Sequence, residues 1–323
     1  MSQLKVGVIG LGNMGKHHAR NYFEMPQAHL VAVMDVRSAI ADEFALAYHC
    51  HSYTTVADML ANETLDAVTI TVPTHLHFEI ASQVIAAGVS VLIEKPIADT
   101  VEDAQRLIDL AKAKGVILMV GHIERFNPAV TQLKALIEAG KLGQLTTISA
   151  RRVGVFPAQI KDANVIIDLA VHDIDVMSYL FDREPDRIVG SAGRALVQDR
   201  EDYADILLTY GNQHGLLQVN WITPVRIRGL TVTGTKGYAE LNYMTQELTF
   251  YESQLTHTQD ALGDPAIKFG DPIRHDIKIE KQEQLRLELS HFLDCVATGK
   301  SPLVSGEVGL MALKHALLVQ ASF

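Results

Sequence analysis

Two short stretches carry side chains able to work on a proton. Glu94-Lys95-Pro96 places a lysine directly behind an apolar run, Val91-Leu92-Ile93. An amine at the carboxyl end of a buried strand lies in a site of low polarity, where desolvation disfavours its charge. There it can hydrogen-bond a substrate hydroxyl and help carry its proton. Asp168-Leu169-Ala170-Val171-His172 sets an acid and an imidazole four residues apart, on one helical face. Ile166-Ile167 and Leu169-Ala170-Val171 predict a largely buried helix, so its polar groups need partners. Such a pair suits removal of a proton from an alcohol. Each stretch also has a plain structural reading. Lys95 can be a surface lysine after a strand, and Asp168 and His172 an ordinary buried hydrogen bond that includes Asp173 or Asp175.

The N-terminal glycines indicate what could accept the electrons. Gly10-Leu11-Gly12-Asn13-Met14-Gly15 follows Val6-Gly7-Val8-Ile9 and opens a helical segment. A second apolar run, Leu30-Val31-Ala32-Val33-Met34, ends on Asp35, 20 residues after the last glycine. Strand, turn, helix, strand and acid in this order form a dinucleotide-binding unit. Gly10 permits the tight turn, Gly12 lets a pyrophosphate approach, and Gly15 lets helix and strand pack closely. Asn13 and Met14 lie in the same turn, at a helix N-terminus that offers free N–H groups to the phosphates. Asp35 is suited to accept hydrogen bonds from ribose hydroxyls and to repel a 2′-phosphate, which predicts NAD rather than NADP. Arg37 is placed to turn toward such a phosphate and stands against that choice.

The elements that must hold these residues follow from periodicity. Strands are expected at 4–9, 29–34, 67–72, 89–93 and 116–120, with helices at 14–24, 38–48, 55–61, 76–87 and 100–114. Short runs that are apolar throughout fit a parallel sheet covered on both faces. Pro73-Thr74-His75 follows the third of these strands and Glu94-Lys95-Pro96 the fourth. Both therefore fall at the carboxyl edge, where ligands bind in open α/β sheets. After residue 122 the pattern changes. Helices are expected at 128–139, 165–180, 281–298 and 306–320, and β segments at 144–153, 187–197, 203–210, 215–222, 227–233 and 238–242. Their alternation predicts an open, mainly antiparallel sheet in an α+β domain. Residues 253–278 read as a long loop. The division predicted is 1–122 for the doubly wound Rossmann domain and 123–323 for the second, with the last helix free to pack back on the first.

Composition limits the rest. The chain has 323 residues, enough for two cores, and 28 basic against 38 acidic residues give a net charge of −10. That balance argues against a nucleic-acid or anionic-membrane surface, while leaving room for a phosphorylated ligand held by a few local cations. Cys50 and Cys295 form no Cys-x-x-Cys pair. His17 and His18, His49 and His51, and His75 and His77 match no metal-site spacing, so no metal is expected. With neither a secretory leader nor a bilayer-length apolar run, the expected location is the cytoplasm.

Taken together, these pieces resemble the family of glucose–fructose oxidoreductase, inositol dehydrogenase and rhizopine-catabolism dehydrogenases. The likeness covers essentially the whole chain. It rests on the glycine turn, Thr71-Val72-Pro73-Thr74 with His77, Glu94-Lys95-Pro96, Asp168-x-x-x-His172 and the Ser301-Pro302 to Leu313 region. The resemblance implies that Pro73, Thr74, His77 and Glu94 join the cofactor site and that the Lys95–Pro96 bond is cis. It also implies an active site between the domains and homo-oligomers, dimers or tetramers, formed through the second sheet. Lys95, Asp168 and His172 would then contact the reacting sugar carbon.

A narrower resemblance runs through Gly121-His122-Ile123-Glu124-Arg125-Phe126-Asn127-Pro128 and Asn220-Trp221-Ile222-Thr223-Pro224 to Arg228. It is to the branch that oxidises nucleotide sugars such as UDP-N-acetylglucosamine at C3, in lipid A or surface-glycan assembly. Arg125, Arg226 and Arg228, with Asn127, would bind the substrate, since a planar guanidinium grips phosphate oxygens in pairs. Arg125 has an alternative partner in Glu124 or Glu138. On a strand at most one of Arg151 and Arg152 can face the same cleft. A dehydrogenase of a free sugar or inositol, and a non-catalytic NAD-binding sensor, are the competing functional readings.

Overall fold

The apolar runs of the first 121 residues fold as one parallel sheet, seen in a computed structural model that describes residues 3–157, 163–259, 262 and 264–322. Its strands are β1 (Leu4–Ile9), β2 (Ala28–Met34), β3 (His51–Tyr53), β4 (Ala67–Ile70), β5 (Ser90–Glu94) and β6 (Leu118–Gly121). The order β3-β2-β1-β4-β5-β6 reverses direction between β1 and β4, the switch point at which doubly wound sheets hold ligands. Connecting helices are α1 (Gly15–Glu24), α2 (Ser38–Tyr48), α3 (Val56–Asn62), α4 (His77–Ala86) and α5 (Val101–Lys114). Thr100 caps α5 by accepting from the Asp103 N–H, and Gly115, at φ +66°, ends it. β4 and β6 are buried along their whole length, which is why they read as unbroken apolar runs. β3 was not expected. It is a three-residue edge strand with no buried residue, so its sequence has no apolar face to betray it.

The expected boundary at 122/123 needs correction. The chain divides into Met1–Ile123 with Glu283–Lys314, and Glu124–Gln282 with His315–Phe323. α8 (Gln284–Thr298) returns to the first unit because Leu285, Leu289 and Phe292 bury one face, packed on α1. α9 (Gly306–Gln320) begins there too. A Cβ on Gly309 would lie 2.5 Å from Val120, so glycine lets this helix approach β6 closely.

The second unit opens with α6 (Pro128–Glu138) and carries β7 (Leu145–Val155), a π-helical turn (Ile166–Ala170) and α7 (Val171–Phe181). Then come β8 (Arg187–Gly193), β9 (Tyr203–Tyr210), β10 (Gln213–Asn220), β11 (Ile222–Gly234), β12 (Gly237–Asn242), β13 (Glu247–Glu252), β14 (Leu255–Gln259), β15 (Pro265–Phe269) and β16 (Ile273–Asp276). Eight strands form one sheet in the order β16-β13-β12-β11-β7-β10-β9-β8, antiparallel except at β7–β10. In β9, Ala204, Ile206, Leu208 and Tyr210 point inward and Tyr203 and Leu207 outward, the alternation of a sheet with one open face. Ile174, Met177 and Leu180 of α7 belong to the buried core. A Cβ on Gly215 of β10 would stand 2.7 Å from the Met177 sulfur, which sets the closeness of that packing. β8 ends at Gly193 rather than 197, and 253–278 is not a loop: β14 and β15 pair as a hairpin and β16 joins the large sheet. Every residue of β14 and β16 is exposed, so no buried stripe marked them in the sequence. β13, by contrast, carried a legible alternation, with Leu248 and Phe250 buried.

Candidate active site

The glycine turn meets the demands of a dinucleotide site. Gly10 has φ +88°, and a Cβ there would lie 2.8 Å from Val72 and 3.1 Å from the Thr71 backbone. A Cβ on Gly15 would fall 1.8 Å from the Gly10 carbonyl oxygen, so only glycine lets α1 start where it does. Gly12 is the opposite case. Its Cβ would meet nothing within 4 Å, and Gly12 and Asn13 stand exposed at the tip, with Met14 half-buried behind them. Backbone N–H groups at the start of α1 are thus open to an anion. Thr71 locks the turn by donating its hydroxyl to the Gly10 carbonyl at 2.6 Å, a role its place at the end of a buried strand could have signalled.

Asp35, at the end of β2, is buried and accepts from the Leu11 N–H at 2.9 Å. Arg37 donates to both of its oxygens, at 2.8 and 2.9 Å. That hydrogen-bonded guanidinium, helped by the Leu11 and Arg37 amides, outweighs burial and holds the carboxyl down at about 2. Arg37, which stood against the choice of NAD because it could turn toward a 2′-phosphate, is turned onto the acid instead. These residues fit NAD: the turn leaves open N–H groups on which a pyrophosphate would rest, and the Asp35 carboxylate would be available to ribose hydroxyls.

The other carboxyl-edge residues divide into exposed and structural. Pro73 is exposed, and Thr74 opens a 3-10 turn into α4. His77, expected at the cofactor, is buried. Its Nδ1 meets the Pro96 carbonyl at 2.8 Å and its Nε2 the Val72 carbonyl at 2.9 Å. Both ring nitrogens lie against carbonyl oxygens, and the neutral ring donates its one N–H to either of them, so His77 sits as a brace between the two loops. Burial pushes its pKa down against the pull of those carbonyls. Glu94 likewise turns inward, with Oε1 2.9 Å from His18 Nε2. Lys95 follows it, half-buried, and the Lys95–Pro96 bond is cis.

In the second unit the sequence pair comes together as expected. Asn164 accepts from the Ile166 and Ile167 amides and starts the helical segment. Asp168 on the π turn and His172 on α7 then line one cavity of about 410 Å³. π turns recur at functional sites because they re-aim a side chain. Arg226 and Arg228 of β11 line the same cavity, as do Phe156 and Trp221, whose rings meet edge to face at 5.6 Å. Arg228 donates to the carbonyls of Val153 and Ile227. Burial, then the charges of Arg152 and Arg226, pushes its guanidinium down to about 10.

The neighbouring acids take structural partners. Asp173 holds Arg152, which also donates to Glu124 at 3.0 Å. Asp175 holds Arg125 in a two-pronged pair at 2.8 and 2.7 Å. Arg125, expected at a diphosphate, is thus spent on Asp175, with its guanidinium over the Tyr179 ring, and does not line the cavity. Asn127 caps α6 and donates to Glu124 and the Tyr243 carbonyl, another structural post. Arg152 faces the cavity while Arg151 is on the opposite, open face of β7, as strand geometry demands.

A doubly wound sheet with a fitted glycine turn, followed by an open sheet that carries an acid–imidazole pair, defines an NAD-dependent oxidoreductase. Family comparison agrees. Residues 4–122 match the profile described as oxidoreductase family, NAD-binding Rossmann fold, and residues 130–240 match the GFO/IDH/MocA C-terminal domain. The chain belongs to the GFO/IDH/MocA family. It is 30% identical over 323 residues to the UDP-N-acetylglucosamine 3-dehydrogenase of Acidithiobacillus ferrooxidans, covering 100% of this chain and 98% of that one. A solved structure of that enzyme superposes with a TM-score of 0.87 at 28% identity, over 100% and 98% of the two chains. The scyllo-inositol 2-dehydrogenase (NAD(+)) of Bacillus subtilis is 29% identical over 332 residues, covering 96% and 93%.

Proposed function

We propose that the protein oxidises a secondary hydroxyl of a sugar with NAD, and that the sugar is carried on a nucleotide diphosphate, as in oxidation of UDP-N-acetylglucosamine at C3. One observation carries this reading: Asp168 and His172 share their cavity with Arg226 and Arg228, beside an Arg152 already held by Asp173 and Glu124, and Asp168 is the one carboxylate among the cavity's described lining residues. A neutral polyol offers such cations only neutral acceptors, whereas a diphosphate supplies an anion and charge-assisted, paired hydrogen bonds. The relation to the A. ferrooxidans enzyme supports the same substrate.

In this reading NAD, when bound, supplies the electron acceptor at its nicotinamide. His172, oriented by Asp168, takes the hydroxyl proton, and Lys95 steadies the developing negative charge on the same oxygen. Arg226 and Arg228 hold the diphosphate and so fix which hydroxyl is presented. The product, a 3-keto sugar, suits a transaminase of lipid A or surface-glycan assembly, drawing on the cytoplasmic NAD pool. NADH absorbance, followed with UDP-N-acetylglucosamine, other UDP-sugars, myo-inositol and glucose, tests the proposal. Turnover of UDP-N-acetylglucosamine well above the polyols is expected. Preference for inositol would favour the second reading, a free-polyol dehydrogenase, which the B. subtilis relative supports.

We also propose a homo-oligomer formed through the open face of the large sheet. Val189, Leu207 and Leu216 sit on paired positions of β8, β9 and β10, are 39–47% exposed, and floor a shallow depression of about 550 Å³. An apolar row of this kind on a sheet face is a natural place for a second copy.

A further inference from the structure

The first unit buries an acid that the proposed reaction does not use. Glu288, on α8, has no exposed surface, and neither of its carboxyl oxygens meets a hydrogen-bond partner among the described residues. Two polar atoms of α1 share that condition, Nδ1 of His18 and Oδ1 of Asn21, both in fully buried residues. α1 and α8 pack together; Glu288 acts electrostatically on Tyr22 of α1, and the charge of Glu94 of β5 acts on Glu288. Buried polar atoms on two helices that pack together are the setting in which proteins enclose a water with about three partners. His18 meanwhile commits its other nitrogen, Nε2, to Glu94, the residue directly before Lys95.

On the reading of Lys95 as the lysine that acts on substrate, we propose that Glu288 is its positioning residue: the Glu288 carboxyl group and an enclosed water hold the His18 ring, which holds Glu94 at the base of the Glu-Lys-Pro turn. Three layers thus connect the interior of the unit to the lysine, one on α8, one on α1 and one on β5. The groups facing the cluster are His18 and Tyr22 from α1, Glu94 and Lys95 from β5 and its turn, and His77 from α4. Burial, then the Glu94 charge, pushes the Glu288 carboxyl well above the ordinary glutamate range, which favours the uncharged acid, the form able to donate a hydrogen bond. Burial also opposes ionisation of Glu94. There, however, the hydrogen bond and charge of His18, with the charges of Lys95 and His77, prevail and keep the carboxyl below its usual value. Two buried carboxyl groups therefore divide the roles, one neutral and one anionic. Raising the pH until Glu288 ionises sets a second negative charge against Glu94, and the ordered pair beneath Lys95 is lost.

Glu288→Gln preserves shape and hydrogen bonding but cannot ionise; Glu288→Leu removes the polar contact altogether. In the protein without cofactor at neutral pH, infrared spectra should show the carbonyl stretch of a protonated carboxyl group, missing from Glu288→Gln. In the NAD-loaded enzyme, wild-type kcat should fall on the alkaline side, and Glu288→Gln should keep neutral-pH kcat within about twofold and lose that fall. Glu288→Leu should lower kcat about tenfold with KM changed less than about threefold, the pattern of a misplaced catalytic group. Identical infrared spectra in wild type and Glu288→Gln, coincident alkaline limbs, or full kcat in Glu288→Leu would each overturn the proposal. Failure of the functional reading is seen separately. Undiminished turnover in Lys95→Met removes that reading, while the infrared band reports on the cluster alone.

Discussion

Arg228→Gln separates a binding arginine from a structural one. The Arg228 guanidinium, pushed down by roughly two to three pH units to about 10, has its charge disfavoured in the folded chain. At about 1.4 kcal/mol per pH unit this amounts to roughly 3 kcal/mol, present at every pH below the folded value and relieved as the pH rises through it. Arg228 is only half-buried, so solvent screening reduces the cost to about 1–2 kcal/mol. Against this stand its hydrogen bonds to the Val153 and Ile227 carbonyls, each worth about 1 kcal/mol. The two effects nearly cancel, and the ligand-free variant should unfold within about 1 kcal/mol of wild type, where a purely structural arginine would cost more. A phosphate changes the sign. The charge-assisted bond lost is worth about 1.5–3 kcal/mol, roughly ten- to 150-fold in Kd. Thermal unfolding of the NAD-loaded protein, with and without UDP, and calorimetric titration with UDP and UDP-N-acetylglucosamine measure both parts. A variant that binds UDP as tightly as wild type, or that loses more than about 2 kcal/mol without ligand, would refute the reasoning.

Four further outcomes are expected. Lys95→Met should retain NAD affinity in fluorescence titration yet lose at least about a hundredfold in kcat, the usual weight of a group that manages a proton or alkoxide. Asp35→Asn keeps the shape of the β2 terminus but removes its charge, so the preference for NAD over NADP should shrink by about tenfold or more in kcat/KM; an unchanged ratio would deny Asp35 that role. The same substitution removes a carboxyl held down at about 2, which stabilises the fold above the unfolded value of 3.8 and less and less as the pH falls through 2. Acid unfolding should therefore begin from a lower stability in Asp35→Asn, with a weaker pH dependence below 3.8. Leu207→Glu, on the outward face of β9, should reduce the molar mass measured by light scattering without changing the far-ultraviolet circular dichroism, because a charge in an apolar contact costs several kcal/mol.

How much of the molecule its sequence determined depends on whether a residue answers to its neighbours in the chain or to distant ones. Gly10, Gly12 and Gly15 were legible because turn and helix start are local demands on φ and on Cβ volume. The buried parallel strands were legible because they are apolar on both faces. Asp168 and His172 could be placed on one side of a helix by spacing alone. Four residues of separation says nothing, however, about which nearby acids will be claimed by arginines, and there tertiary structure decided. Asp173 and Asp175 capture Arg152 and Arg125, chain neighbours only at long range, which removes Arg125 from the substrate and leaves Arg226 and Arg228 beside the acid–imidazole pair. His77 looked like a ligand until two carbonyls from separate loops occupied both its nitrogens. Glu288, inside an ordinary amphipathic helix, gave no sign at all. Its burial, and with it the protonation of its carboxyl group, exists only once α8 closes on α1, because desolvation is a property of the packed interior and not of the chain.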